Sequence, residues 1–417
     1  MRLKTRQGLF WVVVVSIICS AQWCYGAGFA LYEGSARGNA LGGAVVGRAD
    51  DPSALFFNPA GITQLPGTQV MAGASFIIPK TDVTTHFPTC SSPGVTTTSS
   101  SNVWVPPHFY LTYQATDKVW LGLAVFSPFG LGTEFDEHWP GRYNSYNAVI
   151  QTVTINPNVA FKLNDKVSLA AGLDFMYFDL KLENKIPTGF GDVNHSLKGD
   201  SIGVGMNFAI HYRACDWLKL GASYRSQVTQ NVTGDASFNK PAALPLFNDS
   251  GAKGTLTLPD EVYFGAAFYP MKDLSFEVGG IWTHWGTYES LTIQYDSLGA
   301  VGRSSVTRTK NWNDVWRLYF GVEHHTTDWL DLRAGFVWDQ SPIDHDYVDY
   351  LVPANDRYLI SFGPGFKWRN WTLDLSYTYL IITNRDNVAA RPLEGVLDSS
   401  FDNGNAHMIG CSVGYKF

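Results

Sequence analysis

The sequence predicts an all-β protein: a 14-stranded antiparallel transmembrane β-barrel whose lumen is plugged by an N-terminal hatch carrying one short helix. Three observations predict it. The first is side-chain alternation. Val149, Gln151, Val153, Ile155, Pro157, Val159, Phe161 and Leu163 share one face of their stretch. Ile150, Thr152, Thr154, Asn156, Asn158, Ala160 and Lys162 share the other. Ile202, Val204, Met206, Phe208, Ile210 and Tyr212 alternate in the same way with smaller or polar neighbours. Runs of this length exceed common soluble strands and suit a tilted crossing of about 9–11 residues with ends outside the membrane. The second is punctuation. Six short polar turns (115–118, 164–166, 214–217, 270–273, 326–329, 368–371) alternate with seven long loops near 80–103, 134–147, 186–198, 235–254, 294–304, 344–355 and 385–403. That arrangement joins fourteen strands and leaves both ends of the barrel on the short-turn side. The third is an export leader with no later run long and apolar enough for a membrane helix.

Arg2, Lys4 and Arg6 precede an apolar stretch, 9–21, that is too short to span a bilayer, and Gly26 closes a cleavage site. Residues 1–26 therefore read as a secretory signal, with Ala27 the first mature residue. Cys24 is no lipid-attachment site, because Gln22 and Trp23 before it are too bulky.

Residues 27–67 form the hatch. They are rich in glycine and alanine, show little alternation, and include "DPSALFFNPAGIT" (51–63). Asp51 and Pro52 make an N-cap and first turn, Leu55, Phe56 and Phe57 supply the apolar face, and Asn58-Pro59 stops the helix. Nothing else past the leader reads as helix. A barrel this wide needs filling or leaves a channel, which puts the segment in the lumen; a periplasmic arm is the alternative.

The barrel occupies 68–417. Within "FSPFGLG" (126–132), Pro128 lacks an N–H for the ladder, and Gly130 and Gly132 tolerate irregular backbone. Together they can bend a strand inward and leave a gap; an ordinary loop start at Pro128-Phe129-Gly130 is the plainer reading. Pro157, inside a strand, should force a bulge. Trp217, Trp285, Trp329, Trp368 and Trp371 at turn edges suit interfacial girdles. The chain closes on "NAHMIGCSVGYKF", where Ile409, Cys411, Val413, Tyr415 and Phe417 share a face.

Composition agrees: 14% aromatic against 16% charged, with 40 glycines and 14 tryptophans. The net charge of −7 becomes about −10 without the three leader cations, which argues against nucleic acid as partner. Cys90, Cys215 and Cys411 allow at most one disulfide. No phosphate loop, thiol–base pair or zinc spacing occurs, so neither cofactor nor metal is expected.

Four stretches, in order, resemble the FadL family of outer-membrane transporters for long-chain fatty acids and other hydrophobic molecules. They are "AGFALYEGSARGNALGGAVVGRADDPSALFFNPAGIT", "FSPFGLGTEF", "WRLYFGVEHHTTDWLDLRAGFVWDQSPI" and "VPANDRYLISFGPGFKW". The resemblance covers essentially the whole mature chain. It implies a monomeric barrel in the bacterial outer membrane, set among lipid and lipopolysaccharide. The implied cargo is a hydrophobic small molecule, either a long-chain fatty acid or an aromatic hydrocarbon. It also implies a hatch in which Phe56 and Phe57 seat the plug and Asn58, Pro59 and Ala60 lie against the kink at Pro128, Phe129, Gly130 and Gly132. The kink is then a lateral exit in the barrel wall, and Phe29 contacts ligand.

An anionic head group needs a cation. If Leu318, Phe320 and Val322 face lipid, Arg317 faces the lumen beside Tyr319 and Glu323. By the same alternation Arg225 points inward opposite Leu220, Ala222 and Tyr224. Each could hold a carboxylate, although such a cation is more often simply paired with luminal acids. Two rival functions remain. An outer-membrane hydrolase could use Asp344, His345, Asp346 and Ser341, but adjacent residues point apart and loop clusters of this kind are usually solvated tips. His324 and His325 should likewise splay to opposite faces. A polar general porin would have no use for an apolar plug and should carry a densely charged lumen, whereas the alternate faces here read as Thr, Asn, Gly and Ser.

Overall fold

The computed structural model describes residues 28–86, 94–240, 247–297 and 304–417. The leader, Ala27 and Cys90 lie outside the described residues. All strands belong to one antiparallel sheet of 21 hydrogen-bonded segments that closes on itself. Several staves are made of two segments each, so the circuit counts 14 strands. It runs from Thr68–His86 through Pro107–Gln114, Val119–Phe126, Asn147–Lys162, Val167–Thr188, Gly191–Cys215, Leu218–Arg225 and Glu261–Phe268. It continues through Leu274–Thr283, Val315–Thr327, Leu330–Asp339, Arg357–Trp368, Trp371–Ile382 and Asp398–Lys416. The last strand pairs with the first from Gln69↔Lys416 to His86↔Asp398, which leaves no free edge. Phe417 N–H donates to the Thr68 carbonyl at 3.0 Å, so the two ends of the barrel meet on the short-turn side.

Alternation sets what faces where. Ile202 is 73% exposed, with Val204, Met206, Phe208, Ile210 and Tyr212 on the same outer face, while Gly203, Gly205 and Asn207 point inward and are buried. Trp217, Trp329, Trp368 and Trp371 are exposed at turn edges, as a girdle requires. Trp285 is not among them. It is fully buried in the lumen.

Pro157 makes no bulge. It faces Leu123, and the pairing with Val167–Thr188 keeps the same register on either side, Ile155↔Phe175 and Asn158↔Gly172. The Leu173 carbonyl instead accepts from Asn156 Nδ2 at 2.9 Å, so a neighbouring side chain replaces the donor that proline lacks.

The segment 28–65 lies inside the barrel and is almost entirely buried. The expected helix is there as Ala54–Phe57, with the Asp51 carboxylate accepting from Ser53 N–H at 2.8 Å just before it. Asn58 ends it, but the chain then enters a 3-10 helix, Pro59–Gln64, with proline at its first turn. A second helix, Ala36–Ala40, was not expected. Ser35 caps it, its Oγ accepting from Gly38 N–H at 3.0 Å. Five residues around a glycine give no apolar period to read.

Inward glycines of the wall let the hatch backbone approach it. A β-carbon on Gly335 would overlap the Leu41 carbonyl carbon, and one on Gly221 would overlap the Val46 carbonyl oxygen. Gly335→Val should therefore leave the barrel assembled but loosen residues 41–48 by about 1–3 kcal/mol, the usual cost of overpacking. Hydrogen exchange on the purified barrel checks this, and unaltered protection of those amides would contradict it.

Candidate functional site

Two buried acids of the wall hold the hatch. Glu323 Oε1 and Oε2 accept from Arg37 Nη2 and Nε at 2.9 and 3.0 Å, while Arg37 Nη1 reaches Asp50 at 2.6 Å and Asp51 at 2.9 Å. Arg333 donates to Glu323 at 2.6 Å and to Asp374 at 2.6 Å, extending the ion pairs across neighbouring strands. Glu277 accepts three consecutive backbone N–H groups, from Val46, Gly47 and Arg48, at 2.8, 3.0 and 2.9 Å. Such a carboxylate caps a turn of irregular chain that would otherwise leave buried donors unpaired. The lumen at this level is thus densely charged, whereas the sequence reads as a lining of Thr, Asn, Gly and Ser more than Lys or Asp.

The kink lies where "FSPFGLG" predicted it. Val119–Phe126 stops, Gly130–Glu134 resumes, and both pair with Asn147–Lys162. Phe126↔Thr154 becomes Gly130↔Gln151, so Ser127, Pro128 and Phe129 stand opposite only two residues. Thr152 repairs the ladder: its Oγ accepts from Phe129 N–H at 3.1 Å and donates to the Phe129 carbonyl at 2.6 Å. On the other side the partner strand begins only at Pro107, with Pro106 before it, and neither has an N–H to offer. Trp104 lies over Gly132, whose missing β-carbon leaves room for the indole.

The hatch meets the kink through its first residues. Ala30 bridges Phe129; Leu31 N–H donates to the Pro128 carbonyl at 2.8 Å and Gly130 N–H to the Phe29 carbonyl at 2.9 Å. Asn58, Pro59 and Ala60, expected there, lie elsewhere. Asn58 Nδ2 donates to the Val46 and Ile210 carbonyls at 2.9 and 3.1 Å, on a different part of the wall. Phe56 and Phe57 do pack as plug residues: Phe56 sits edge-on to Phe126 at 5.0 Å, and the Phe57 carbonyl accepts from Ser223 Oγ at 2.7 Å.

Phe29 is caged by Trp285, Trp312, Tyr288 and Phe129, with ring centroids 4.7, 5.7, 6.2 and 6.2 Å away. It stands between two cavities. One, of about 50 Å³, is apolar and luminal, lined by Phe178, Leu180, Leu182, Val232 and Leu256 and edged by Lys310. The other, of about 370 Å³, reaches from buried Leu380 and Ala406 past Phe29, Gly130 and Gly132 to Val105 and Val153, which are exposed on the outer face.

Arg225 is paired with Asp174 and lies over the Phe126 ring at 4.8 Å. Arg317 points inward as its strand predicts, pairs with Asp339 at 2.7 Å and lies over the Tyr32 ring at 4.5 Å. Neither lines either cavity; Arg357 does line the larger one. Lys310 does line the luminal one and is paired with Asp349. Burial raises the Asp349 carboxyl, but that ammonium and its hydrogen bond hold it below the usual range. Lys310, Trp312 and Tyr288 carry no signal in the sequence beyond their place in an aromatic-rich stretch between strands.

The other candidates are accounted for. His345 bonds to the Asn387 carbonyl at 2.8 Å and Ser341 Oγ accepts from Ile343 N–H at 3.1 Å, with no contact between them. His325 pairs with Asp331 at 2.6 Å, while His324 lies 3.7 Å from Asp273. Cys215 and Cys411 are free thiols.

A family model described as "Outer membrane protein transport protein (OMPP1/FadL/TodX)" matches residues 17–417. The chain belongs to this family. It is an outer-membrane transport protein and not an enzyme. It is 26% identical to the long-chain fatty acid transport protein of Escherichia coli O6:H1, over 97% of each chain. Its fold resembles that of a Pseudomonas aeruginosa FadL homologue, with a TM-score of 0.80 at 20% identity over 94% of this chain and 100% of the other. The Pseudomonas putida toluene transporter TodX superposes with a TM-score of 0.70 at 19% identity, over 94% and 100%.

Removing the Glu277 side chain leaves three buried N–H groups without acceptors, and breaking a buried charged contact typically costs about 3–5 kcal/mol. Glu277→Ala should keep the barrel but free the hatch, giving conductance steps in planar bilayers where the parent is silent. A silent variant would count against the anchor.

Proposed function

We propose that the protein carries a hydrophobic small molecule from the cell exterior into the lumen and releases it sideways, through the wall at Pro128–Gly132, into the outer membrane. What carries the reading is the larger cavity: it joins buried luminal side chains to lipid-facing ones at the place where the ladder is interrupted. Residues 27–67 act as the hatch and 68–417 as the wall, with residues 1–26 the export signal. The strongly held part of the hatch, around Arg37 and Val46–Arg48, stays in place. Gly28 to Leu31 move, since only two backbone hydrogen bonds and apolar contacts tie them to the kink. Asn58, Pro59 and Ala60 serve as a joint of the plug away from the exit.

The related fatty acid transport protein and the toluene transporter support an apolar cargo. In this reading Phe29 touches the cargo and Lys310 receives a carboxylate, exchanging Asp349 for it. Arg225 and Arg317, already paired with acids, keep the wall and hatch together. The barrel works as a monomer, with lipopolysaccharide around its outer rim. A polar porin is disfavoured by the filled lumen.

A β-carbon on Gly130 would meet Leu31 Cδ1 at 2.7 Å, so Gly130→Val should wedge the exit. Uptake of labelled oleate or toluene into cells should fall sharply while the folded barrel reaches the membrane in normal amount. Normal uptake would remove the lateral route. Lys310→Ala should weaken oleate about tenfold and leave toluene unaffected, the size of one charge-assisted hydrogen bond. Equal effects on both ligands, measured by equilibrium binding, would take Lys310 out of the site.

A further inference from the structure

We propose that the outer face of the wall from Val167–Thr188 to Ser250–Leu258 binds the phosphorylated headgroup of an outer-leaflet glycolipid, through Lys181, Lys198 and divalent cations shared with Asp179 and Asp200. The inference uses the outer-membrane setting and is independent of the route taken by the cargo.

Height along the wall places the patch. On Gly191–Cys215 the side chains of Tyr212, Ile210, Phe208, Met206, Val204 and Ile202 face outward and are exposed. From Tyr212 to Ile202 the strand climbs roughly 25 Å, at about 3.3 Å per residue and a tilt of about 40°, which is the height of a barrel's apolar band. Asp200 is the next outward residue, and Tyr177, opposite Ile202, is followed on its own face by Asp179. The charges here stand just above the hydrocarbon, at the level of the headgroups.

Those charges repel one another as they are arranged. Asp179 faces Asp200 directly across the two strands, and one rung higher Lys181 faces Lys198. Side chains so opposed have β-carbons about 5 Å apart, and like charges there destabilise the pair. The rows continue onto neighbouring strands, from Asp200 across Thr233 to Lys253 and from Lys198 to Asp235. Lys181 is ion-paired, to Glu183 at 2.8 Å. Among the described residues Lys198 and Lys253 have no carboxylate, and Asp179, Asp200 and Asp235 no basic group, within ion-pair distance. Two repelling pairs stacked on one face are relieved by a ligand that carries both signs. A phosphate answers the lysines through charge-assisted hydrogen bonds. Its divalent counter-ions answer the aspartates, since magnesium is commonly held by one or two carboxylates together with phosphate oxygens. A phosphorylated glycolipid brings both to this height and lays its acyl chains on the apolar band below, which free phosphate cannot do. Asp179 also pairs with Gln151, whose other neighbour is Gly130 of the kink, so a lipid held here borders the proposed exit.

The test offers the full chain in phosphatidylcholine nanodiscs either bisphosphorylated lipid A or the same lipid without phosphates, with magnesium or with EDTA. Native mass spectrometry counts the bound lipid, a readout that needs no uptake. The parent should hold the phosphorylated lipid about tenfold more tightly, the worth of one charge-assisted hydrogen bond, and lose that preference in EDTA. Lys181→Gln with Lys198→Gln should erase the preference and leave the dephosphorylated lipid unchanged. Asp179→Asn with Asp200→Asn should make binding insensitive to EDTA, because the cation's protein ligands and the repulsion are removed together. These side chains point away from the lumen, where substitution rarely disturbs folding. The proposal is overturned if the parent binds both lipids alike, if the lysine variant keeps its preference, or if inorganic phosphate with magnesium displaces the lipid, which would make the patch a site for free phosphate.

Discussion

The hatch is irregular chain at membrane depth, and every polar group on it must find a partner inside the protein. Backbone of this kind persists there only when the surrounding protein satisfies it. Glu277 and Glu323 supply the satisfaction, one taking three consecutive N–H groups and the other one edge of Arg37. A buried carboxylate is costly alone, and these are fixed by the donors they neutralise. The wall and the hatch thus depend on each other. Glu277 without Val46–Arg48 would be an unpaired buried charge, and the turn without Glu277 would be three orphan donors.

That dependence is unevenly distributed, and the unevenness suits transport. The strands Leu274–Thr283 and Val315–Thr327 grip the hatch through charge, while the segment facing the kink is held by two backbone bonds and ring packing. Charged contacts in a low-dielectric lumen are strong and directional; apolar contacts are easily exchanged for similar ones. A ligand made of carbon and hydrogen can compete for the second kind and not for the first. The plug is therefore held by charge around Arg37 and Val46–Arg48 and by exchangeable apolar contacts at its start.

The wall was legible in the sequence because alternation reports on it directly. One face of each strand meets lipid, so Ile202, Val204 and Met206 could be placed without coordinates. The six turns and the start at Thr68 followed from the same pattern. The hatch was legible only in part. "DPSALFF" carries helix signals, but its position depends on contacts hundreds of residues away, such as Arg37 with Glu323, and no local period encodes them. Asn58 was misplaced for that reason, and Phe29, two residues into the described chain, took the position at the kink instead. Trp285 was assigned to a girdle because position in a hairpin cannot distinguish a ring turned outward from one turned in. The alternation turns Arg225, Arg317 and Glu323 inward, but the density of luminal charge is not legible, because Glu323, Arg333 and Asp374 lie on different strands and meet only in the folded wall.

The kink shows how a membrane wall can be interrupted at all. Unpaired N–H and C=O groups facing lipid cost several kcal/mol each, so a simple break in the ladder would be unstable. Here the donors are removed rather than exposed: Pro128 on one strand, Pro106 and Pro107 toward the next. Thr152 satisfies Phe129 from inside, and the hatch backbone takes the Pro128 carbonyl and the Gly130 N–H. Trp104 rests where Gly132 has no side chain and covers what remains with its indole ring. Two backbone hydrogen bonds, Leu31 to Pro128 and Gly130 to Phe29, are all that the hatch backbone contributes to this repair. Proline and glycine, rather than broken hydrogen bonds, define the interruption, and that is why the wall tolerates it.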